Sequence, residues 1–176
     1  MKAVLFTGQG SQYTGMGKEF FHQYAIVRQT FEEASDILGI DMARLCFHSD
    51  HNELCRTELQ QPALLTIGIA IYRLYREIVN EEPQFMAGHS LGEIIALACA
   101  EAIKFHDALS IVKTRGELMA YAAERQAGSM LAIWDMPLDL IEAKCSEWNN
   151  TNLCLETACI NSERQIVVSG HKEAIE

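Results

Sequence analysis

A serine bracketed by glycines where an apolar strand meets an apolar helix constrains this chain more than any other feature: Ala87-Gly88-His89-Ser90-Leu91-Gly92-Glu93. A serine at the tip of a tight strand-to-helix turn has a strained backbone, and the residues two before and two after it must lack a Cβ to avoid clashing. Gly88 and Gly92 meet that need. Pro83 to Ala87 reads as a short buried strand, and Glu93 to Ala100 as a buried helix rich in alanine and leucine. The pattern is that of a nucleophile elbow, which presents the Ser90 Oγ at the top of a sheet. The amide of Leu91 then points at the oxygen of an acyl group bound there.

At 176 residues with 49% hydrophobic content, the chain is long enough for a sizeable core and suits a soluble α/β protein. The net charge of −10 excludes nucleic acid as an expected partner, because phosphate binding demands clustered Lys and Arg. No apolar run approaches the roughly 20 residues of a membrane span. The six cysteines form no C-x-x-C pair and no signal peptide precedes them, so reduced thiols in a cytoplasmic protein are expected, with Cys99 a small core residue. No zinc-ligand spacing is present, and no metal is expected.

Hydrophobic periodicity predicts an opening strand over Lys2 to Phe6 and one helix from Gly17 to Leu38 stopped by Gly39. A second helix is predicted from about Pro62 to Val79, with the proline near its first turn, Leu65, Ile69, Tyr72 and Ile78 inward, and Arg73, Arg76 and Glu77 outward. Another is predicted from Asp107 to Ala123. Past Gly128 the pattern becomes strand (Gly128 to Trp134), helix (Leu138 to Trp148), two strands (Leu153 to Ile160, Gln165 to Ser169) and one helical turn (Lys172 to Glu176). The expected organisation is a first part of a large α/β subdomain over 1–126, carrying the nucleophile, and a first part of a small α+β subdomain over 127–176.

A second glycine-rich turn, Thr7-Gly8-Gln9-Gly10-Ser11-Gln12 onward to Gly15 and Gly17, also follows a strand and precedes a helix. A dinucleotide fingerprint needs its third glycine three residues after the second, and Gly15 comes five after Gly10. A P-loop needs Lys and then Ser or Thr, where this chain has Met16-Gly17. Two readings stay open: Gln9 donates to a developing oxyanion, or the turn's polar side chains cap the following helix. Arg115 by itself reads as a surface helix arginine. His89 adjoins Ser90, but successive residues in a sharp elbow point apart, so it is read as a packing and hydrogen-bonding residue. His22, His48, His51, His106 and His171 are read as solvated.

Taken together, Phe6 to Gln12, Gln61-Pro62-Ala63-Leu64, Gly88 to Glu93, Val112 to Met119, Gly128-Ser129-Met130, Asn161-Ser162 and Val168-Ser169-Gly170 stand in one order along nearly the whole chain. In that order the chain resembles the malonyl-CoA:acyl carrier protein transacylase family, including polyketide synthase acyltransferases. The resemblance implies a hydrolase-like large subdomain with a parallel sheet and a small ferredoxin-like subdomain. It implies Ser90 as nucleophile, the backbone N–H groups of Gln9 and Leu91 as oxyanion hole, and Arg115 as the bidentate holder of a malonyl carboxylate. Malonyl-CoA and an acyl carrier protein are the implied partners, in fatty acid or polyketide synthesis, with a coenzyme A thioester as substrate and no permanently bound cofactor.

One departure stands out: the family's general base is a histidine downstream of the small subdomain, and none of the six histidines matches it. A fragment of a longer polypeptide, free-standing or N-terminal, is therefore expected. The rival readings are an acyl hydrolase of the same fold and a non-catalytic interaction module.

Overall fold

The computed structural model describes residues 1–125 and 127–176, and divides into two compact units, Met1–Ala120 and Tyr121–Glu176. The subdomain boundary expected at residue 126 falls on Gln126, which lies outside the described residues.

The first unit is built on two parallel strands, β1 (Ala3–Phe6) and β2 (Phe85–Gly88), paired from Ala3 with Phe85 through Phe6 with Gly88. Helices fill the sequence between them: α1 (Lys18–Gln23), α2 (Ala25–Leu38), α3 (Met42–His48), α4 (His51–Cys55) and α5 (Thr57–Val79). The single helix expected over 17–38 is two, because Tyr24 adopts an extended backbone (φ −121°, ψ 126°) that breaks the α1 ladder. Gly39 ends α2 as expected, with φ 67° and its N–H donating to the Ser35 carbonyl. Helices α3 and α4 went unpredicted because each is under two turns. Their signal was local, since Asp41 and Asp50 cap them by accepting the N–H groups of Arg44 and Glu53.

Helix α5 starts five residues earlier than the periodicity suggested, so Pro62 lies in its sixth position rather than near the first turn. Its buried residues Ala63, Leu64, Leu65, Thr66, Ile69, Ala70, Tyr72 and Leu74 face α2 and the helix after β2. Ile78, expected inward, is 63% exposed beyond the reach of the core. Arg73, expected outward, lies half-buried over the Phe105 ring and donates to Thr30 Oγ1 and Glu33. After β2 come α6 (Leu91–Cys99) and α7 (Phe105–Arg125), the last residues of which, from Tyr121, belong to the second unit. Val27, Phe31, Leu45, Leu54, Leu65, Leu91, Leu109 and Val112, each almost wholly buried, form the centre of one continuous apolar core.

The second unit holds β3 (Gly128–Trp134), α8 (Leu138–Asn149), β4 (Leu155–Ser162), β5 (Gln165–His171) and α9 (Lys172–Ile175). The strands form an antiparallel sheet in the order β3-β5-β4. A strand-helix-strand-strand-helix sequence with the third strand in the middle is the ferredoxin-like arrangement. Helix α8 covers one face, where Ile141, Cys145, Leu155, Ile166 and Val168 make a small core. The molecule is an α/β protein with a hydrolase-like parallel sheet in its first unit and a ferredoxin-like second unit.

Candidate active site

The elbow forms where β2 ends and α6 begins. Ser90 has φ 54° and ψ −109°, a region that costs a non-glycine residue about 1–3 kcal/mol and persists only where the surroundings over-determine it. Both flanking glycines are required by space. A Cβ on Gly88 would overlap the Gly92 carbonyl, and one on Gly92 would overlap the Phe6 carbonyl at the end of β1. The turn closes with Gly92 N–H donating to the His89 carbonyl at 2.9 Å and Glu93 N–H donating to the Ser90 carbonyl at 3.2 Å. Leu91 is fully buried and anchors the first residue of α6, where an N–H has no carbonyl one turn earlier to bond.

The other glycine turn approaches the elbow from β1, and a Cβ on Gly8 would lie 2.7 Å from the His89 carbonyl. Its polar side chains close the turn on itself rather than capping α1, whose N-cap, Gly17, makes no side-chain bond. Ser11 Oγ donates to the Gly8 carbonyl at 2.8 Å, and Gln12 Oε1 accepts from Gly10 N–H at 2.9 Å. Gln9 instead reaches the start of α5, with Nε2 donating to Thr57 Oγ1 at 2.9 Å and to Gln60 Oε1 at 2.7 Å.

Arg115 lies on α7 one residue before Gly116, where a Cβ would lie 2.7 Å from Glu58 Cα and 2.8 Å from the Thr57 carbonyl. That glycine lets α7 settle against the first turn of α5, which brings the guanidinium to the elbow. Arg115 Nη2 donates to Ser90 Oγ at 2.8 Å, and Nη1 donates to Gln61 Oε1 at 2.5 Å. Gln61 is fully buried, and its Nε2 donates to Thr57 Oγ1 at 2.8 Å and to Met119 Sδ at 3.3 Å. Arg115 is half-buried and Ser90 is exposed, so the pair opens to solvent on the serine side. A guanidinium only donates, so Ser90 Oγ accepts here and its own proton stays available to a base.

The surface-arginine reading of Arg115 is therefore set aside by its position, while Ser90 and Arg115 are brought together directly. Gln9 joins them through side chains of α5. Gln60, Gln61 and Thr57 were given no role from the sequence. The readable signal was a pair of adjacent glutamines inside an apolar helix, because a buried carboxamide needs partners. His89 contributes through its backbone, whose carbonyl closes the elbow. His106 lies against Asp107, and His171 Nδ1 accepts from the Cys154 N–H at 2.6 Å.

Burial pushes the Cys46 and Cys99 thiols up to about 12, which keeps them protonated core residues. Among the described residues no group of three His, Cys, Asp or Glu side chains is arranged to hold a metal ion, and no helix is long and apolar enough to cross a membrane. A cleft of about 640 Å³ runs beside β2 past Tyr72, Arg76, Met86, Glu93 and Glu101, and Ser90 and Arg115 do not line it.

The chain is 42% identical over 174 residues to a malonyl CoA-acyl carrier protein transacylase of Bacillus subtilis, which covers 99% of this chain and 44% of the relative. The solved malonyl CoA-acyl carrier protein transacylase of Coxiella burnetii is 42% identical and superposes with a TM-score of 0.90 over 98% of this chain and 54% of that one. A malonyl-transacylase solved in complex with its type II polyketide synthase acyl carrier protein is 40% identical, with a TM-score of 0.89 over 98% of this chain and 56% of that one. The chain thus spans about half the length of the curated relatives it matches. The model of the acyl transferase domain matches residues 4–176, taking in the elbow, the arginine and both sheets. A match of that extent, on a backbone that already carries the strained serine, means that the chain belongs to the acyl transferase domain family.

Proposed function

We propose that this chain carries the nucleophile half of an enzyme that moves a malonyl group from malonyl-CoA, through an ester on Ser90, to the phosphopantetheine thiol of an acyl carrier protein in fatty acid or polyketide synthesis. The observation that carries the reading is the guanidinium of Arg115 within 2.8 Å of the Ser90 Oγ. A malonyl ester on that oxygen ends in a carboxylate only three carbons away, within reach of the fork that Arg115 presents. Relatives named malonyl CoA-acyl carrier protein transacylase, and the solved complex of a malonyl-transacylase with its carrier protein, support the same substrates.

In the proposed reaction Ser90 Oγ attacks the thioester carbonyl, and its proton passes to a histidine that the family resemblance assigns downstream of the positions matched here. The backbone N–H groups of Gln9 and Leu91 hold the oxyanion, and the C–S bond breaks to release coenzyme A as a thiol. The carrier thiol then attacks the ester by the reverse sequence, returning the proton to Ser90. Coenzyme A enters only as part of the substrate, with no metal and no resident cofactor. Residues 1–126 serve as the nucleophile-bearing part of the large subdomain and 127–176 as part of the small one, in a cytoplasmic setting that keeps the thiols reduced.

Intact-mass measurement after incubation with malonyl-CoA tests the reading. One malonyl adduct is expected, absent in Ser90→Ala. Arg115→Ala should lower malonyl loading about 100-fold, the scale of a lost charge-assisted pair, with acetyl loading much less affected. An adduct that survives Ser90→Ala, or equal losses for the two acyl groups, would overturn it. Rapid loss of the adduct to water without carrier protein would favour a hydrolase.

A further inference from the structure

We infer that Thr57, the first residue of α5, is a positioning residue whose hydroxyl joins the glycine turn that carries Gln9 to the arm that holds Arg115. The inference rests on the reading of Arg115 given above and adds a residue to that site. Its basis is the direction of the hydrogen bonds. Arg115 offers donors only, so Gln61 must turn its Oε1 toward Nη1, at 2.5 Å. The Gln61 Nε2 is thereby turned to Thr57 Oγ1, at 2.8 Å, which makes the hydroxyl an acceptor. Gln9 Nε2 donates to the same oxygen at 2.9 Å. Both lone pairs of one hydroxyl are thus filled, one from each side of the site.

Geometry holds the node in place. The Thr57 carbonyl and Glu58 Cα pack against Gly116, the neighbour of Arg115, at distances where no side chain fits. Removing the hydroxyl leaves the buried Gln61 amide only the weak thioether acceptor of Met119, at 3.3 Å, so its Oε1 is held far less firmly toward the guanidinium. Gln9 keeps only its bond to Gln60. Serine can supply the same oxygen, whereas valine keeps the shape and loses it.

The test reads the Arg115 guanidinium directly in the 176-residue chain, by ¹⁵N-detected NMR of the Nη groups, assigned through their loss in Arg115→Ala. A guanidinium held at both Nη atoms rotates slowly and gives separate signals. Separate signals are expected in the wild type and in Thr57→Ser, and a single averaged signal in Thr57→Val. Thr57→Ala gives the same reading should the valine variant fail to fold. Malonyl loading on Ser90 should fall about tenfold in Thr57→Val, the cost of one hydrogen bond, and recover in Thr57→Ser. A wild-type spectrum already averaged, or a valine variant that keeps separate signals, overturns the inference. Undiminished malonyl loading in Arg115→Ala would instead strike the proposed function and leave the NMR result standing.

Discussion

The two units hold their shape by different means. In the first, a large core of helices grips a sheet of only two strands, and the elbow sits where Leu91, Ile95 and Leu109 are buried behind it. In the second, a three-stranded ladder carries the fold over a core of five buried residues, with Met130, Leu131 and Trp134 of β3 exposed. The difference shows what a strained residue needs. Ser90 keeps its unfavourable backbone because packing on several sides leaves no alternative, and the larger core supplies that packing.

The sharpest way to break this comparison is Gly92→Ala. A Cβ there meets the backbone carbonyls of Phe6 and Thr7, neither of which can give way cheaply, so a loss of more than about 3 kcal/mol is expected in denaturant unfolding of the first unit. Gly10→Ala is the control. Nothing lies within 4 Å of its Cβ, so only its φ of 98° costs, about 1–2 kcal/mol.

In the second unit, Ile141→Ala removes a side chain that is 2% exposed and should cost about 2–4 kcal/mol. With so small a core, hydrogen exchange should then accelerate across β3, β4 and β5 while α5 and α6 stay protected. Uniform acceleration would mean that the units do not unfold separately.

The smallest effect is expected at Glu53, on the surface of the first unit. The Arg44 guanidinium beside it holds its carboxyl down at about 2, from an ordinary 4.5. A depressed carboxyl stabilises the fold above the unfolded value and loses that contribution as pH falls through the folded one. The difference in Tm between wild type and Glu53→Gln should therefore be small at neutral pH and shrink further below pH 4.5. Its growth on acidification would refute the assignment.

Much of the fold was legible along the chain. The strand Gly128–Trp134 is found with the bounds its apolar run and flanking glycine suggested, and α8 differs from expectation by one residue. Errors came where a local signal competed with another. Tyr24 fits the apolar spacing of one long helix yet breaks it, and Pro62 looked like a helix start although the first turn of α5 lies before it. The propensity of proline for first turns is a preference, and the packing of Thr57 and Glu58 on Gly116 outweighs it here.

The demand on Gly92 comes from the Phe6 and Thr7 carbonyls that the fold brings near, but the demand on Gly88 is local, since a Cβ there meets Gly92 within five residues of sequence. That local demand, the periodicity of the helices and the order of the motifs were present in the sequence alone. The partners of Ser90 and Arg115 were not. Arg115 meets Ser90 across 25 positions and Gln61 across 54, and Thr57 meets Gln9 across 48. Only the packing of α7 on α5 and of β1 on β2 brings these groups within 3 Å, and a hydrogen bond depends on that distance and direction rather than on the identity of the residues that make it.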